Sequence, residues 1–154
     1  MLKGLILIVF CIFLYIFSMS FLNKIDKKIS LIVIDNAHDF ERTIQIYENR
    51  ENVFVLFTAK INSKTGKSWC KDSDKAAPII AKVFNEFGSR VIFIKCYVSK
   101  KEFKNKEYIY RTHPHIKLNR IPTLVHWGGE YEQIIESQLL NDKTIVNFVI
   151  THTM

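Results

Sequence analysis

One cysteine in this chain stands where sulfur chemistry is feasible. Trp69-Cys70 falls between a polar loop and the opening of a helical segment. A thiol at a helix N-terminus differs from one in a core, because unsatisfied N–H groups and the positive end of the helix dipole favour thiolate over thiol. Lys67, Lys71 and Lys75 lie close by in sequence and push the same way where they point at the sulfur. Thiolate is the attacking species in thiol–disulfide exchange, so the expected chemistry is attack on a disulfide or another sulfur electrophile. The plainer alternative is an inert, half-buried cysteine. Cys11 lies in a long apolar run as filler, and Cys96 lies in an apolar strand as a small buried hydrophobe. Three cysteines are too few, and an odd number, for a disulfide-stapled mini-protein.

Other motifs carry less. Thr65-Gly66-Lys67-Ser68 ends like a phosphate-binding loop, but that loop needs glycine at the position of Ile61. His113-Pro114-His115 has no nearby cysteine or acidic ligand set in sequence, so no metal site is expected. His38 and His126 need no function, His126 reading as a strand residue near the proline turn. Lys100, Lys101, Lys104 and Lys106, interleaved with Phe103 and Tyr108, read first as a solvated face rather than a nucleic-acid grip. Trp69 and Trp127 either border a peptide groove or fill the core.

The elements that position Cys70 follow from periodicity. Ser30 to Ile34 reads as a strand, and Asp39 to Arg50 as a helix opened near Asn36 or His38. Val53 to Thr58 is a continuous apolar run, as in a strand buried on both faces. Lys60 to Ser68 is a polar loop turning at Gly66. Lys71 to Phe87 is a helix with Ala77, Ile80, Ala81, Phe84 and Phe87 as its apolar face, interrupted by Pro78 and stopped by Gly88. Val91 to Tyr97 is a third strand. Ser99 to Asn119 is basic and less regular, with a short helix over Tyr108 to Thr112. Ile121 to Trp127 is a strand entered through Pro122, Gly128-Gly129 a turn, and Tyr131 to Ser137 its hairpin partner. A last helix, capped by Asn141 or Asp142, carries Ile145, Val146, Phe148 and Val149. The order β-α-β-α-β-α-β-β-α implies an α/β fold whose central mixed sheet is parallel at first and ends in an antiparallel hairpin.

Composition bounds the rest. The 154 residues are 48% hydrophobic and 13% aromatic, which suits one packed domain and excludes disorder or collagen-like repeats. A net charge of +7 favours anionic partners. From Gly4 to Leu22 no side chain is ionisable, Lys3 precedes the run, and Lys24, Lys27 and Lys28 follow it. That length borders both a signal peptide and a membrane span, and Ser18-Met19-Ser20 offers a cleavage site. We therefore expect a hydrophobic helix over residues 1–22 as signal peptide or membrane anchor, a linker over 23–30 and a domain over 31–154. Either leader places the domain in the secretory pathway, outside the cell or anchored to a membrane. The lysine flanks specify orientation weakly, so a cytosol-facing domain stays open.

Thr58 through Pro78 resembles the active-site segment of the thioredoxin superfamily, and more closely that of the thioredoxin domain-containing protein 17 family, marked by Gly-Lys-Ser-Trp-Cys-Pro-Asp-Cys. Gly66-Lys67-Ser68-Trp69-Cys70 matches, and Lys71-Asp72-Ser73 departs. Pro78 matches a helix proline, Cys96 a family cysteine, and Ile121-Pro122-Thr123 the segment that carries a cis proline facing the active cysteine. The resemblance spans about Ile34 to Ile150. It implies a thioredoxin-like fold and protein-disulfide reductase activity on disulfide-containing proteins or peptides. It implies no bound cofactor, the electrons coming from thioredoxin reductase with NADPH.

In the resemblance Cys70 attacks, while Ser73 takes the position of the resolving cysteine and cannot close a disulfide. That leaves monothiol chemistry, with release by an external thiol such as glutathione. Ser73 is expected to donate a hydrogen bond to the Cys70 thiolate, and Asp72 to serve as a local proton acceptor. Trp69, Ile121, Pro122 and Thr123 are expected to shape the substrate groove. The alternative is a redox-inactive thioredoxin-like module that binds a peptide or protein in the same groove. A weaker one is a basic membrane-surface protein, and no nucleic-acid partner is expected.

Overall fold

The apolar run VFVLFTA becomes the middle of the sheet. In the computed structural model, which describes residues 29–153, it forms β2 (Val53–Ala59), buried at every position. β1 (Ser30–Ile34) and β3 (Ile92–Val98) are its parallel companions, and β4 (Thr123–His126) and β5 (Gln133–Ile135) complete the sheet antiparallel. The strand order is β1-β3-β2-β4-β5. Among the described residues five α-helices accompany it: α1 (Phe40–Gln45), α2 (Lys71–Phe87), α3 (Lys100–Lys104), α4 (Ile109–Thr112) and α5 (Asp142–Thr151). Among the described residues no helix is long and apolar enough to cross a membrane. The hydrophobic leader, Cys11 and nearly all of the expected linker lie outside the described residues.

The period-two geometry of β2 splits its side chains between two cores. Val53, Val55, Phe57 and Ala59 join Phe40, Ile44, Cys96 and Tyr110 on the face covered by α1 and α4. Phe54 and Leu56 face the other way, onto Ala76, Ile80, Val83 and Phe84 of α2 and Ile145 and Val149 of α5. Phe84 stacks on Phe93 with ring centroids 4.0 Å apart. Each such side chain, fully buried, stabilises the fold by roughly 1.5–3 kcal/mol. This is the mixed α/β arrangement that the alternating blocks implied.

Several details differ from the sequence-based expectation. The buried stripe of α2 runs through Ser73, Ala76, Ile80, Val83 and Phe84, while Ala77 and Ala81 are exposed. Ala77 and Ala81 match the helical spacing as well as Ala76 does, but the larger Val83 and Phe84 set the rotation of the helix against the sheet. The first helix ends at Gln45 rather than Arg50, because Ile46 and Tyr47 bond back to Thr43 and Ile44, three residues earlier, and Ile46 is 71% exposed. Asn36 does cap the 3-10 turn before it, accepting from the His38 N–H at 3.1 Å. Inside the region read as irregular, α3 is held by a capping box in which Ser99 and Glu102 exchange hydrogen bonds. Ser-x-x-Glu was visible in the sequence as its signal.

His126 is at the end of β4 remote from Pro122, 5% exposed, with Nε2 donating to the Glu51 carbonyl at 2.6 Å. Gly128 follows because a Cβ there would strike the Glu51 backbone. His113 is tied to α1 through Nε2, 3.0 Å from Glu41 Oε1, while its Nδ1 accepts from the His115 N–H at 3.2 Å. Burial holds both His113 and His126 below the usual histidine value of 6.5, against the pull of Glu41 on the first and of the Glu51 carbonyl on the second. His115 beside His113 and His152 beside His126 act in the same direction as burial. A histidine held neutral by the fold contributes stability that is full above about pH 6.5 and is lost as pH falls below it. The urea midpoint of the domain should therefore be nearly level down to about pH 6.5 and fall from there to pH 5. The slope per histidine is at most about 1.4 kcal/mol per pH unit. A flat profile across that range would contradict this reading of both rings.

A candidate thiol site beside a cis proline

β2 ends at Ala59, and the chain then makes a small hairpin before α2. Ile61 bridges Ser68, the Asn62 N–H donates to the Lys67 carbonyl at 2.9 Å, and Gly66 turns the loop at φ 68°. The turn delivers Cys70 to the N-cap of α2, in extended backbone at φ −119° and ψ 114°. Ser68 clamps that position from the side: its Oγ accepts from the Cys70 N–H at 3.1 Å and donates to the Cys70 carbonyl at 2.8 Å. Asp74, one turn into the helix, accepts from the Ser68 N–H at 2.9 Å. Trp69 is anchored by Nε1 donating to the Val98 carbonyl at 2.8 Å, and its ring leans on Phe103 at 5.4 Å.

Across from the sulfur, the Ile121-Pro122 peptide is cis. Cys70 Sγ donates to the Ile121 carbonyl oxygen at 3.4 Å. Thr123 Oγ1 donates to the Arg120 carbonyl at 2.8 Å, and the Glu136 N–H donates to the Pro122 carbonyl at 2.9 Å, so both sides of the proline are held. A groove of about 420 Å³ opens here, lined by Trp69, Cys70, Asp72, Phe103, Asn119, Arg120, Ile121 and Glu136. Cys70 is half-buried, accessible from the groove yet backed by the core.

Of the residues singled out in the sequence, the structure brings Cys70, Trp69, Asp72 and Ile121 into this groove. Pro122 and Thr123 are buried, and neither is among the residues that line the groove. Ser73 is 3% exposed, and its Oγ accepts from the Ala59 N–H at 3.3 Å. That bond ties the start of α2 to the end of β2, and Ser73 is not among the groove-lining residues. Asp72 leans toward Lys75, its Oδ1 4.0 Å from Nζ. Trp127 is at the other end of the sheet, packed edge-on against Phe40 at 5.2 Å.

Cys96 lies in β3 with no exposure, and burial pushes its thiol up to about 12. It is a neutral core thiol, as its apolar strand suggested. Phe103, Asn119, Arg120 and Glu136 were not foreseen as groove residues. Arg120 had a signal, standing immediately before Ile121-Pro122. The others reach the groove from elements whose placement no local pattern reveals.

The comparisons with known proteins agree with this geometry. Residues 33–151 match the family described as thioredoxin domain-containing protein 17-like, thioredoxin domain. The chain is 36% identical over 78 residues to thioredoxin-like protein Clot of Arabidopsis thaliana, a match covering 50% of this chain and 58% of that protein, less than two thirds of its length. It is 26% identical over 110 residues to thioredoxin domain-containing protein 17 of Homo sapiens, covering 71% of this chain and 85% of that one. The X-ray structure of Fasciola hepatica thioredoxin superposes with a TM-score of 0.54 at 22% identity, over 79% of this chain and 98% of that chain, which shows the fold. With a thioredoxin-like sheet, a cysteine capping α2 and a cis proline facing it, the chain belongs to the thioredoxin domain-containing protein 17-like family.

Proposed function

We propose that this thioredoxin-family protein is a protein-disulfide reductase-type oxidoreductase acting by a monothiol mechanism through Cys70. The observation that carries the reading is the placement of one accessible sulfur at the N-cap of α2, 3.4 Å from the carbonyl that precedes the cis proline. An extended substrate lying along Ile121 and Pro122 would bring its disulfide to that sulfur. The Cys70 thiolate attacks one sulfur of the disulfide, the S–S bond breaks, and the other sulfur leaves as thiolate with the electron pair. The resulting mixed disulfide is opened by an external thiol, glutathione in our reading, which restores Cys70. When the first substrate is a glutathione mixed disulfide, the second glutathione leaves as oxidised glutathione and electrons balance.

Ser73 cannot close the second disulfide, so thioredoxin reductase with NADPH is the less suitable reductant. Delivery of the domain to the secretory pathway by the leader fits a small diffusing thiol. Substrates are disulfide-containing proteins or peptides, and the protein carries no bound cofactor of its own. Glutathione-dependent turnover of a peptide–glutathione mixed disulfide by the full chain tests this. Turnover is expected. Absent turnover, with Cys70 alkylated no faster than a free thiol, would leave the groove as a redox-inactive peptide-binding surface.

A further inference from the structure

The charges around the groove are arranged unequally. Two of the acids near it are in ion pairs and two accept from backbone N–H groups. Asp72 faces Lys75, Asp74 accepts from the Ser68 N–H, Glu102 accepts from the Ser99 N–H at 2.8 Å, and Glu136 Oε2 accepts from Arg120 at 2.6 Å. The bases are different. Among the described residues Lys67, Lys71, Lys100, Lys101 and Lys104 are all exposed and none enters an ion pair. Lys71 follows Cys70 directly, and Lys67 lies three residues before it, within about 11 Å along the chain. Lys100, Lys101 and Lys104 share α3 with Phe103, which lines the groove against Trp69. Unpaired lysines thus lie beside Cys70 in the chain and on the helix that carries Phe103, while the lining of the groove itself holds Asp72, Arg120 and Glu136 and no lysine. Helix ends do not account for them, since Lys71 opens α2 and Lys100 opens α3, where the macrodipole disfavours a cation.

We propose that the Cys70 groove selects acidic disulfide partners, polypeptides with Asp or Glu beside the half-cystine. This rests on Cys70 being the reactive thiol. Carboxylates beside the half-cystine are drawn through space toward lysines that enter no ion pair among the described residues. The gain appears mainly in the rate of encounter and fades with salt, because these lysines are exposed.

The test uses three peptides of equal length, each with one cysteine joined to thionitrobenzoate and flanked by Asp, Asn or Lys. In every case Cys70 attacks the peptide sulfur, the S–S bond breaks and thionitrobenzoate leaves with the electron pair, giving a coloured product. At low salt the Asp peptide should react roughly tenfold faster than the Lys peptide with the full chain in a non-ionic detergent, and the ratio should shrink in high salt. Replacing Lys100, Lys101 and Lys104 together by Gln should cut the ratio several-fold and leave the Asn peptide unchanged. Equal rates for the three peptides overturn the inference while leaving Cys70 a nucleophile, including the case in which the lysines bind phosphatidylserine vesicles instead. No reaction with any peptide overturns both this inference and the redox reading beneath it.

Discussion

Cys70→Ser is expected to bring glutathione-dependent turnover down to the uncatalysed background, a loss of about a thousandfold or more. The size of the effect comes from the chemistry of the atom rather than from damage to the fold. A serine hydroxyl is almost entirely protonated at neutral pH and cannot form a disulfide, so no mixed-disulfide intermediate exists for the second thiol to open. The site itself tolerates the change. The Ser68 clamp uses the backbone N–H and carbonyl of residue 70, and a hydroxyl can donate to the Ile121 carbonyl as the thiol does. The variant should therefore unfold within about 1 kcal/mol of the parent in urea, because one weak S–H donor is exchanged for a stronger one. Turnover by Cys70→Ser at the parent rate would place the chemistry elsewhere. Cys96, with no exposure and its thiol pushed up to about 12, is poorly suited to take it over.

Ser73→Cys should change the mechanism. Position 73 lies one turn into α2 from Cys70, so the substitution creates the Cys-x-x-Cys spacing of dithiol redox sites. After attack on a substrate disulfide, the new thiol can displace the substrate from Cys70 and close an internal disulfide. Against oxidised glutathione, the parent should accumulate as a glutathione adduct at Cys70. The variant should accumulate as a 70–73 disulfide without glutathione, a difference that mass spectrometry reads as nearly all or none. Loss of the hydrogen bond from Ala59 should cost the fold about 1 kcal/mol. A variant that keeps glutathione on Cys70 would mean that position 73 is held too firmly against β2 to reach the sulfur. Ser73 would then be a structural tie between strand and helix, not a vacant resolving position.

Much of the architecture was legible because burial in an α/β sheet leaves a simple record. VFVLFT, buried on both faces, reads as a central strand without any knowledge of its neighbours. Asn141 reads as a helix cap, and its side chain does accept from the Thr144 N–H at 3.3 Å. Gly66 reads as a turn, and its φ of 68° is one that an L side chain rarely adopts. The α2 stripe was only half legible, since Ala77 and Ala81 satisfy the same spacing as Ala76 and the choice between them belongs to the sheet beneath. The short α3 has a local signal in Ser99 and Glu102, masked in the sequence by the lysines around them.

The candidate site divides in the same way. By itself the sequence determined that a cysteine would open a helix after a buried strand, that the residue three positions on would be a serine, and that a proline would enter a later strand. Those are local facts, set by spacing, caps and the absence of a second sulfur. Only the tertiary structure decided that the Ile121 carbonyl meets the Cys70 sulfur, 51 residues away in the chain, and that Ser73 faces the Ala59 N–H. It also decided that Arg120 and Glu136 neutralise each other at the rim, that Lys75 and Lys82 of α2 reach Asp72 and Asp142, and that Lys71 and the lysines of α3 enter no ion pair among the described residues. Contacts of that kind depend on strand order and helix rotation, which arise from the packing of Phe54, Phe57 and Phe84 in two separate cores and leave no periodic trace near the residues they bring together.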